Sequence, residues 1–527
     1  MGKKGAVFLA ILALALGIFF VKSALPPSED ELLLRYLSMS KWEKATAPLS
    51  FADEIPFPIP IALISLFGQA IAFSPVLFRL PNYLVSMAGL AVLYMIARRS
   101  KSSGVMPVTM LVLSPWFLFE SMFDLPSALT LTLAMTMYLL EVNMEEKTLK
   151  WLYLIFLMGF IALSSFSGPV FGGVFFAWKF FGRSPRNKRW VLAGLLLFVW
   201  IFGIIKTNWW SSPTWFFKVD DLSLSTQGEL VDQRARYEFK INNYANIIPL
   251  PIKRIVYNKF YFGYRAIVSQ AAKVLDLEKW SFPGQSVATV SRSLWGSKGL
   301  PWLLFWQIIA AIWAIKYLNH EEKQAGVIFL SWALLSMMFS TERNFLGPGV
   351  GIVVPMALWS AKAVSGLDFR KFFVLGILFL WGVTAHLYHF AVNEIYWGDT
   401  RPQAFMAMAQ MAVKHRDKDS VQVTTMIGRS FLYYAWTIKL PPKLLWEGLE
   451  KGNIGNVFFD HFELKETAPI HSVYIGFPGE FIGSKQLDNS FNANELPGKF
   501  RLLEAYKTHD SLSFGNGDYI WSVETSR

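Results

Sequence analysis

The chain has 527 residues, of which 53% are hydrophobic and 17% charged, and its mean hydropathy is +0.35; soluble domains usually carry about 25% charged residues, so an ordinary water-soluble globule is excluded. The formal net charge of +12 does not mark a nucleic-acid partner, because the basic residues form short clusters between apolar runs and read as membrane-topology signals. There is no cysteine, which excludes disulfides and thiolate metal ligands.

A bilayer core about 30 Å thick needs roughly 20 mostly apolar residues per helix. The first such run lies near residues 5–22, behind Lys3 and Lys4. A cleaved signal peptide ending near Ser23-Ala24 is the alternative, but the length of the run favours an uncleaved span. An outer loop of about residues 23–79 follows, opening with Pro26-Pro27-Ser28-Glu29-Asp30-Glu31 and carrying a second acidic pair, Asp53-Glu54, before Pro56, Pro58 and Pro60 and an amphipathic stretch over 59–74. A lone acidic cluster at a membrane mouth is usually a solvated face. Two such sites framing one loop suggest a shared cavity, in which a carboxylate acts as base and a cation meets a leaving phosphate.

Further apolar runs lie near 80–97, 105–120, 125–140, 151–166, 168–181 and 190–206. Asp124 sits at the outer end of two of them; within the bilayer a carboxylate is costly, and so points to function. A long outer loop of about 207–299 precedes runs near 300–316, 325–340, 345–362 and 372–392. Arg343, in the outer turn Thr341–Asn344, is the one basic residue of that turn and has the planar fork of donors that suits a phosphate; a snorkelling arginine is the plain alternative. Gly347, Gly349 and Gly351 alternate in a span, where close helix packing explains them better than nucleotide binding. His386 and His389 share a face of the last run and read as a structural pair rather than a metal site.

The sum is a polytopic α-helical membrane protein with about eleven transmembrane helices. With the N-terminus cytoplasmic, Arg98, Arg99, Lys101, Lys147, Lys150, Arg183, Arg186, Lys188, Arg189, Lys316, Lys323, Lys362, Arg370 and Lys371 all fall inside, as the positive-inside rule requires. Residues 1–392 form the transmembrane unit and 393–527 a soluble α/β domain on the non-cytoplasmic side, where Val421–Thr425, Ser472–Ile475 and Tyr519–Val523 alternate like strands and Ile427–Tyr434 reads as a turn entering a helix.

The order of these features resembles the GT-C superfamily of membrane glycosyltransferases, in the branch of protein O-mannosyltransferases and the bacterial aminoarabinose transferases that modify lipid A. The resemblance covers roughly residues 5–392. Pro27–Glu31 looks like that family's acidic pair after the first span, and Asp53–Pro58 like its Glu-Lys-Pro-Pro segment. Phe78–Pro81 and Tyr94–Arg99 look like its arginine-leucine-proline element and span end, Ser114–Asp124 like the next pair of spans, Ala162–Pro169 like its Thr-Lys-Gly-Pro turn, and Phe339–Pro355 like its phosphate-binding span.

The resemblance implies transfer of a sugar from a polyprenyl-phosphate donor to a protein, glycolipid or polysaccharide acceptor at the outer face of a plasma or inner membrane. Asp30 would then be the base or acceptor-orienting carboxylate with Glu31 beside it, Glu54 and Asp124 would line the cavity, Arg343 would hold the lipid phosphate, and Arg79 would bind substrate. Two lysines of the family pattern are absent: Ile55 and Ser167 stand in their places. Arg35, Arg79, Arg234, Arg236 and Arg254 are the candidate substitutes. Such transferases also use a long-loop histidine for a divalent metal. Residues 207–299 contain no histidine, so no zinc is expected there and aminoarabinose specificity loses support. The competing readings are a transporter or flippase of lipid-linked sugars, and a catalytically inactive assembly factor for envelope glycans. Transporters usually carry a repeat and mid-membrane ionisable groups, whereas the acidic residues here lie at outer span ends.

Overall fold

The computed structural model describes residues 14–17, 19, 27, 29–43, 58–66, 77, 79–100, 104–112, 114, 125–144, 148–182, 190–207, 305–339, 349–365, 401–425, 429–460, 472–476, 506–513 and 519–525. The runs at 372–392 and most of 5–22, the loop 207–299, His386, His389, Gly347 and the boundary expected near 392 lie outside these residues.

Two helices, α1 (Glu29–Glu43) and α2 (Pro58–Ser65), precede an apolar layer. The layer comprises α3 (Leu80–Arg99), α4 (Val105–Val112), α5 (Leu125–Asn143), α6 (Thr148–Ala162), α7 (Ser167–Gly182), α8 (Trp190–Lys206), α9 (Phe305–Ala314), α10 (His320–Phe339) and α11 (Val353–Ser365). Helix α3 packs on α5, α6 on α8, α7 on α10 and α9 on α11. Glycine allows close approach at two of these seams. A methyl at Gly89 would lie 2.7 Å from the Thr132 hydroxyl, and one at Gly351 would lie 2.5 Å from the Trp332 ring, so close packing explains Gly351, as its sequence setting suggests.

Among the described residues, two helices are long and apolar enough to cross a bilayer, α3 with 20 residues and α5 with 19. The expectation of about eleven full-length spans is therefore not met there. The apolar runs are present, but several are shorter helices: α6 has 15 residues and α11 has 13, so α6 reaches about 22 Å at 1.5 Å per residue. The described part of α4 is Val105–Val112. In the described part of the run at 345–362, a 3₁₀ turn, Val350–Ile352, precedes α11.

The outward faces are apolar. Leu149, Leu152, Tyr153 and Phe156 on α6 and Leu195, Phe198, Ile201, Phe202 and Ile205 on α8 are exposed at helical spacing. Contiguous faces of this kind exceed what a soluble monomer leaves in water and suit lipid.

The basic helix ends gather at one end of the layer. Arg99 approaches Glu321 at 3.9 Å, Lys362 approaches Glu322 at 3.4 Å, and buried Glu141 takes both Lys150, at 3.3 Å, and Lys179. Lys150 also donates to the Glu141 and Met144 carbonyls at the end of α5, where the helix dipole favours a cation.

Beyond the layer lie α12 (Arg401–Lys414), β1 (Ser420–Thr424), α13 (Ser430–Thr437), α14 (Pro442–Lys451), β2 (Asn453–Ile454), β3 (Val457–Asp460), β4 (Ser472–Gly476), β5 (Tyr506–Ser513) and β6 (Tyr519–Thr525). The strands form a six-stranded mixed sheet in the order β2-β3-β1-β4-β6-β5. Strand β1 runs parallel to β3 and β4 in the register Val421↔Val457 and Val421↔Val473, while β6 pairs antiparallel with β4 and β5. Helix α14 opens on Pro441-Pro442 and closes at Gly452, whose φ of +78° no β-carbon obstructs. The core of this unit joins Phe405, Met408, Leu432, Tyr433, Trp446 and Val473 to Leu32, Leu33, Tyr36 and Leu37 of α1. Helix α1 and the C-terminal sheet thus share one core.

Candidate functional site

Helix α1 begins with Glu29, Asp30 and Glu31, whose charges suit the positive end of a helix. From Glu31 to Ser40 every residue is buried, which an isolated loop helix would not achieve. Its two faces have separate partners. Glu29, Leu32, Tyr36, Ser40 and Glu43 turn to the C-terminal unit, while Glu31, Leu34 and Arg35 lie on the other side. There, Leu34 packs with Ile64 of α2 and Leu125 at the start of α5.

Arg79 ends the loop as the residue before α3, and Pro81 sits in the first helical turn, where its missing N–H costs nothing. The Arg79 guanidinium donates from Nε to Glu31 Oε1 at 2.9 Å and from Nη2 to Oε2 at 3.0 Å. The two side chains are 1% and 4% exposed. This two-pronged pair fixes orientation as well as charge.

Arg35, one turn further along α1, is also buried. Burial lowers its pKa to about 10; the Glu31 charge opposes that shift and the Arg79 charge adds to it. It remains a cation at neutral pH, so two guanidiniums share the surroundings of the Glu31 carboxylate. On the opposite face Tyr36 packs its ring edge-on to Trp446 at 6.2 Å, and burial, then the Glu43 charge, pushes its phenol up.

Of the residues singled out in the sequence, the structure brings Glu31 and Arg79 into contact. Asp30 is the second residue of α1; its side chain, and the whole of Glu54, Asp124 and Arg343, lie outside the described residues. Leu125, next to Asp124, touches Leu34, three residues from Glu31. At the start of α2, four residues after Glu54, the Ile59 N–H donates to the Leu163 carbonyl at 3.3 Å. Trp332 of α10, the helix that leads toward Arg343, donates to the Ser167 carbonyl at 2.8 Å.

Ser167, standing where the resemblance implies a lysine, belongs to a buried hydroxyl cluster. Its hydroxyl lies 3.0 Å from that of Ser165, and Thr130 is 2.7 Å from Ser165 and 2.6 Å from Ser164. Sequence reasoning offered Arg79 as a substrate ligand and missed it as the partner of Glu31. The signal available was the acidic pair placed shortly before a helix that itself starts after an arginine. Among the described residues, no three His, Cys, Asp or Glu side chains stand together as a metal ligand set.

No protein-family model matches the chain, and no curated protein matches it. Solved structures do. ArnT from Cupriavidus metallidurans bound to undecaprenyl phosphate superposes with a TM-score of 0.50 at 12% identity, covering 99% of this chain and 98% of that one. The apo form of the same ArnT gives 0.46 at 12% identity, covering 98% and 97%. The Archaeoglobus fulgidus oligosaccharyltransferase in complex with zinc and sulfate gives 0.41 at 12% identity, covering 83% of this chain and 61% of that one. The fold is thus similar, over nearly the whole chain, to that of ArnT.

Proposed function

We propose that the chain transfers a sugar from a polyprenyl-phosphate donor to an acceptor at the outer face of the membrane, with its site at the end of the helix layer where α1, α2, α3 and α5 meet. The observation that carries this reading is the buried Glu31–Arg79 pair. It locks the acidic start of α1 against the membrane layer in a fold shared with an ArnT bound to undecaprenyl phosphate.

In the reaction, an acceptor hydroxyl attacks the anomeric carbon and the bond from that carbon to the phosphate oxygen breaks. The lipid phosphate leaves with the electron pair, and the acceptor proton passes to a carboxylate. Both Glu31 oxygens are committed to Arg79, which favours Asp30 as the proton acceptor and gives Glu31 a positioning role. Charge developing on the leaving phosphate is met by Arg343, with the Arg35 and Arg79 guanidiniums as further cations and Glu54 and Asp124 lining the cavity. Fixed charges held out of water act strongly on such a transition state. The C-terminal unit, read as a soluble domain from 393 on, faces the same side and is placed to meet the acceptor.

The test is transfer of label from a panel of radiolabelled polyprenyl-phosphate sugars to envelope extract by the purified protein in lipid, wild type against Asp30→Asn. Transfer that falls by roughly 10²-fold or more in the variant, with expression and folding unchanged, supports the reading. Folded wild-type protein that transfers nothing from any donor, yet moves lipid-linked sugar across the bilayer, replaces it with a flippase. Inertness in both assays points to an assembly factor.

A further inference from the structure

We infer that the C-terminal α/β unit is a positioning element for the transfer site, acting through α1; this rests on the transferase reading above. Three polar ties hold α1 to that unit along its length. At the start, the Arg429 N–H, at the beginning of α13, donates to Glu29 Oε1 at 3.1 Å. Toward the end, the Trp446 indole donates to the Ser40 hydroxyl at 2.7 Å, and Ser40 itself donates to the Tyr36 carbonyl. At the last residue, the Lys443 N–H, in the first turn of α14, donates to Glu43 Oε2 at 3.3 Å.

The two acidic ends of α1 thus each sit at the N-terminus of a helix of the C-terminal unit, where unsatisfied N–H groups and the helix dipole favour a carboxylate. Between them Leu32, Leu33 and Leu37 are embedded in that unit's core. Ties at both ends fix the axial position of α1, and the embedded face fixes its rotation. Successive residues of a helix point about 100° apart, so a roll of α1 by one position would carry Glu31 away from Arg79 and reorient Asp30 beside it. Glu29 and Ser40 are therefore positioning residues. They touch the C-terminal unit and act on the site through the helix they share with Asp30.

A purely structural role for these ties would change stability without a specific kinetic mark. The experiment measures transfer kinetics and backbone amide exchange of residues 29–43 for the full chain in lipid nanodiscs, in wild type, Glu29→Ala, Glu29→Gln and Trp446→Phe. Glu29→Ala and Trp446→Phe should speed exchange in α1 by about tenfold while α3 and α5 are unchanged. They should lower kcat on the order of tenfold or more, with the donor KM within about twofold of wild type. Glu29→Gln, which keeps an oxygen for the Arg429 N–H, should recover most of the rate. Unaltered exchange in α1, or faster exchange with kcat unchanged, overturns the inference, as does a raised KM at constant kcat. Wild type that transfers nothing while α1 still loosens in both variants sinks the transferase reading alone and leaves the mechanical tie standing.

Discussion

Replacing Arg79 with methionine removes its two-pronged hydrogen bond to the Glu31 carboxylate in a site where neither side chain is more than 4% exposed. Breaking a buried pair by removing one partner costs about 3–5 kcal/mol, because the other charge is left without compensation. The two halves of this pair are not equivalent. Arg79→Met leaves Glu31 with the charge of Arg35 nearby, so its cost should fall at the lower end, about 3 kcal/mol. Glu31→Gln leaves two buried guanidiniums without the carboxylate between them and should cost about 5 kcal/mol. The difference of about 2 kcal/mol is roughly thirtyfold in the unfolding equilibrium. The double variant should cost less than the sum of the single ones by about 2–3 kcal/mol. Equilibrium unfolding by SDS in mixed micelles, followed by tryptophan emission, measures all four corners, and Trp446 reports on the surroundings of α1 directly. Single variants that agree within about 0.5 kcal/mol, or that each cost less than about 1 kcal/mol as a solvated pair would, refute the reasoning.

At the opposite end of the layer, Glu141→Gln leaves Lys150 and Lys179 buried without their carboxylate and should cost about 3–5 kcal/mol, whereas Glu321→Gln, whose pair with Arg99 is about 40% exposed, should cost under about 1 kcal/mol; the same unfolding assay separates them. Tyr36→Phe should leave stability unchanged or raise it by about 1 kcal/mol, since the Tyr36 hydroxyl is buried without a hydrogen-bond partner; a loss above that, by thermal melting, contradicts the assignment. For Arg35 the folded-state pKa of about 10 lies below the ordinary 12.5, so the folded protein sheds this proton first and stability gains with pH across that window. Unfolding free energies should therefore keep a constant difference between wild type and Arg35→Met up to about pH 9 and shift in favour of wild type from about pH 10; a flat difference to pH 12 counts against the burial of Arg35.

The clustering of basic residues in the turns on one side was legible because each turn needs only its own residues. Arg99, Lys150 and Lys362 do meet at one end of the layer. The strands at Val421–Thr424 and Ser472–Ile475 follow from period-two alternation, and the turn entering a helix at Ile427–Tyr434 became α13. The sheet order was not legible, since periodicity says which residues share a face and nothing about which strand lies beside which; β3 and β5 had no announcing pattern of their own. Within the described part of the run at 345–362 lies a 3₁₀ turn, Val350–Ile352, that composition averages over.

At the site, the acidic start of α1 was visible as a cluster, and its partner was not. Arg79 has a side chain that fits phosphate and carboxylate equally well, and the choice between them depends on a contact 48 residues away in sequence. The burial of α1 was hidden for the same reason, its ties to the C-terminal unit spanning 400 and 406 residues.

Those spans have a consequence for biosynthesis. Helix α1 is made early, yet the groups that cover Leu32, Leu33, Tyr36 and Leu37 arrive only with residues 405–475. At synthesis rates of roughly 5–20 residues per second, the apolar face of α1 waits on the order of 20–70 s for its cover. During that interval it must rest against membrane, chaperone or translocation machinery. Docking of the C-terminal segment is therefore a late folding event that closes the structure from both ends of the chain. A ribosome stalled before residue 405 would release a product whose helix layer is inserted but whose α1 is still open to proteolysis.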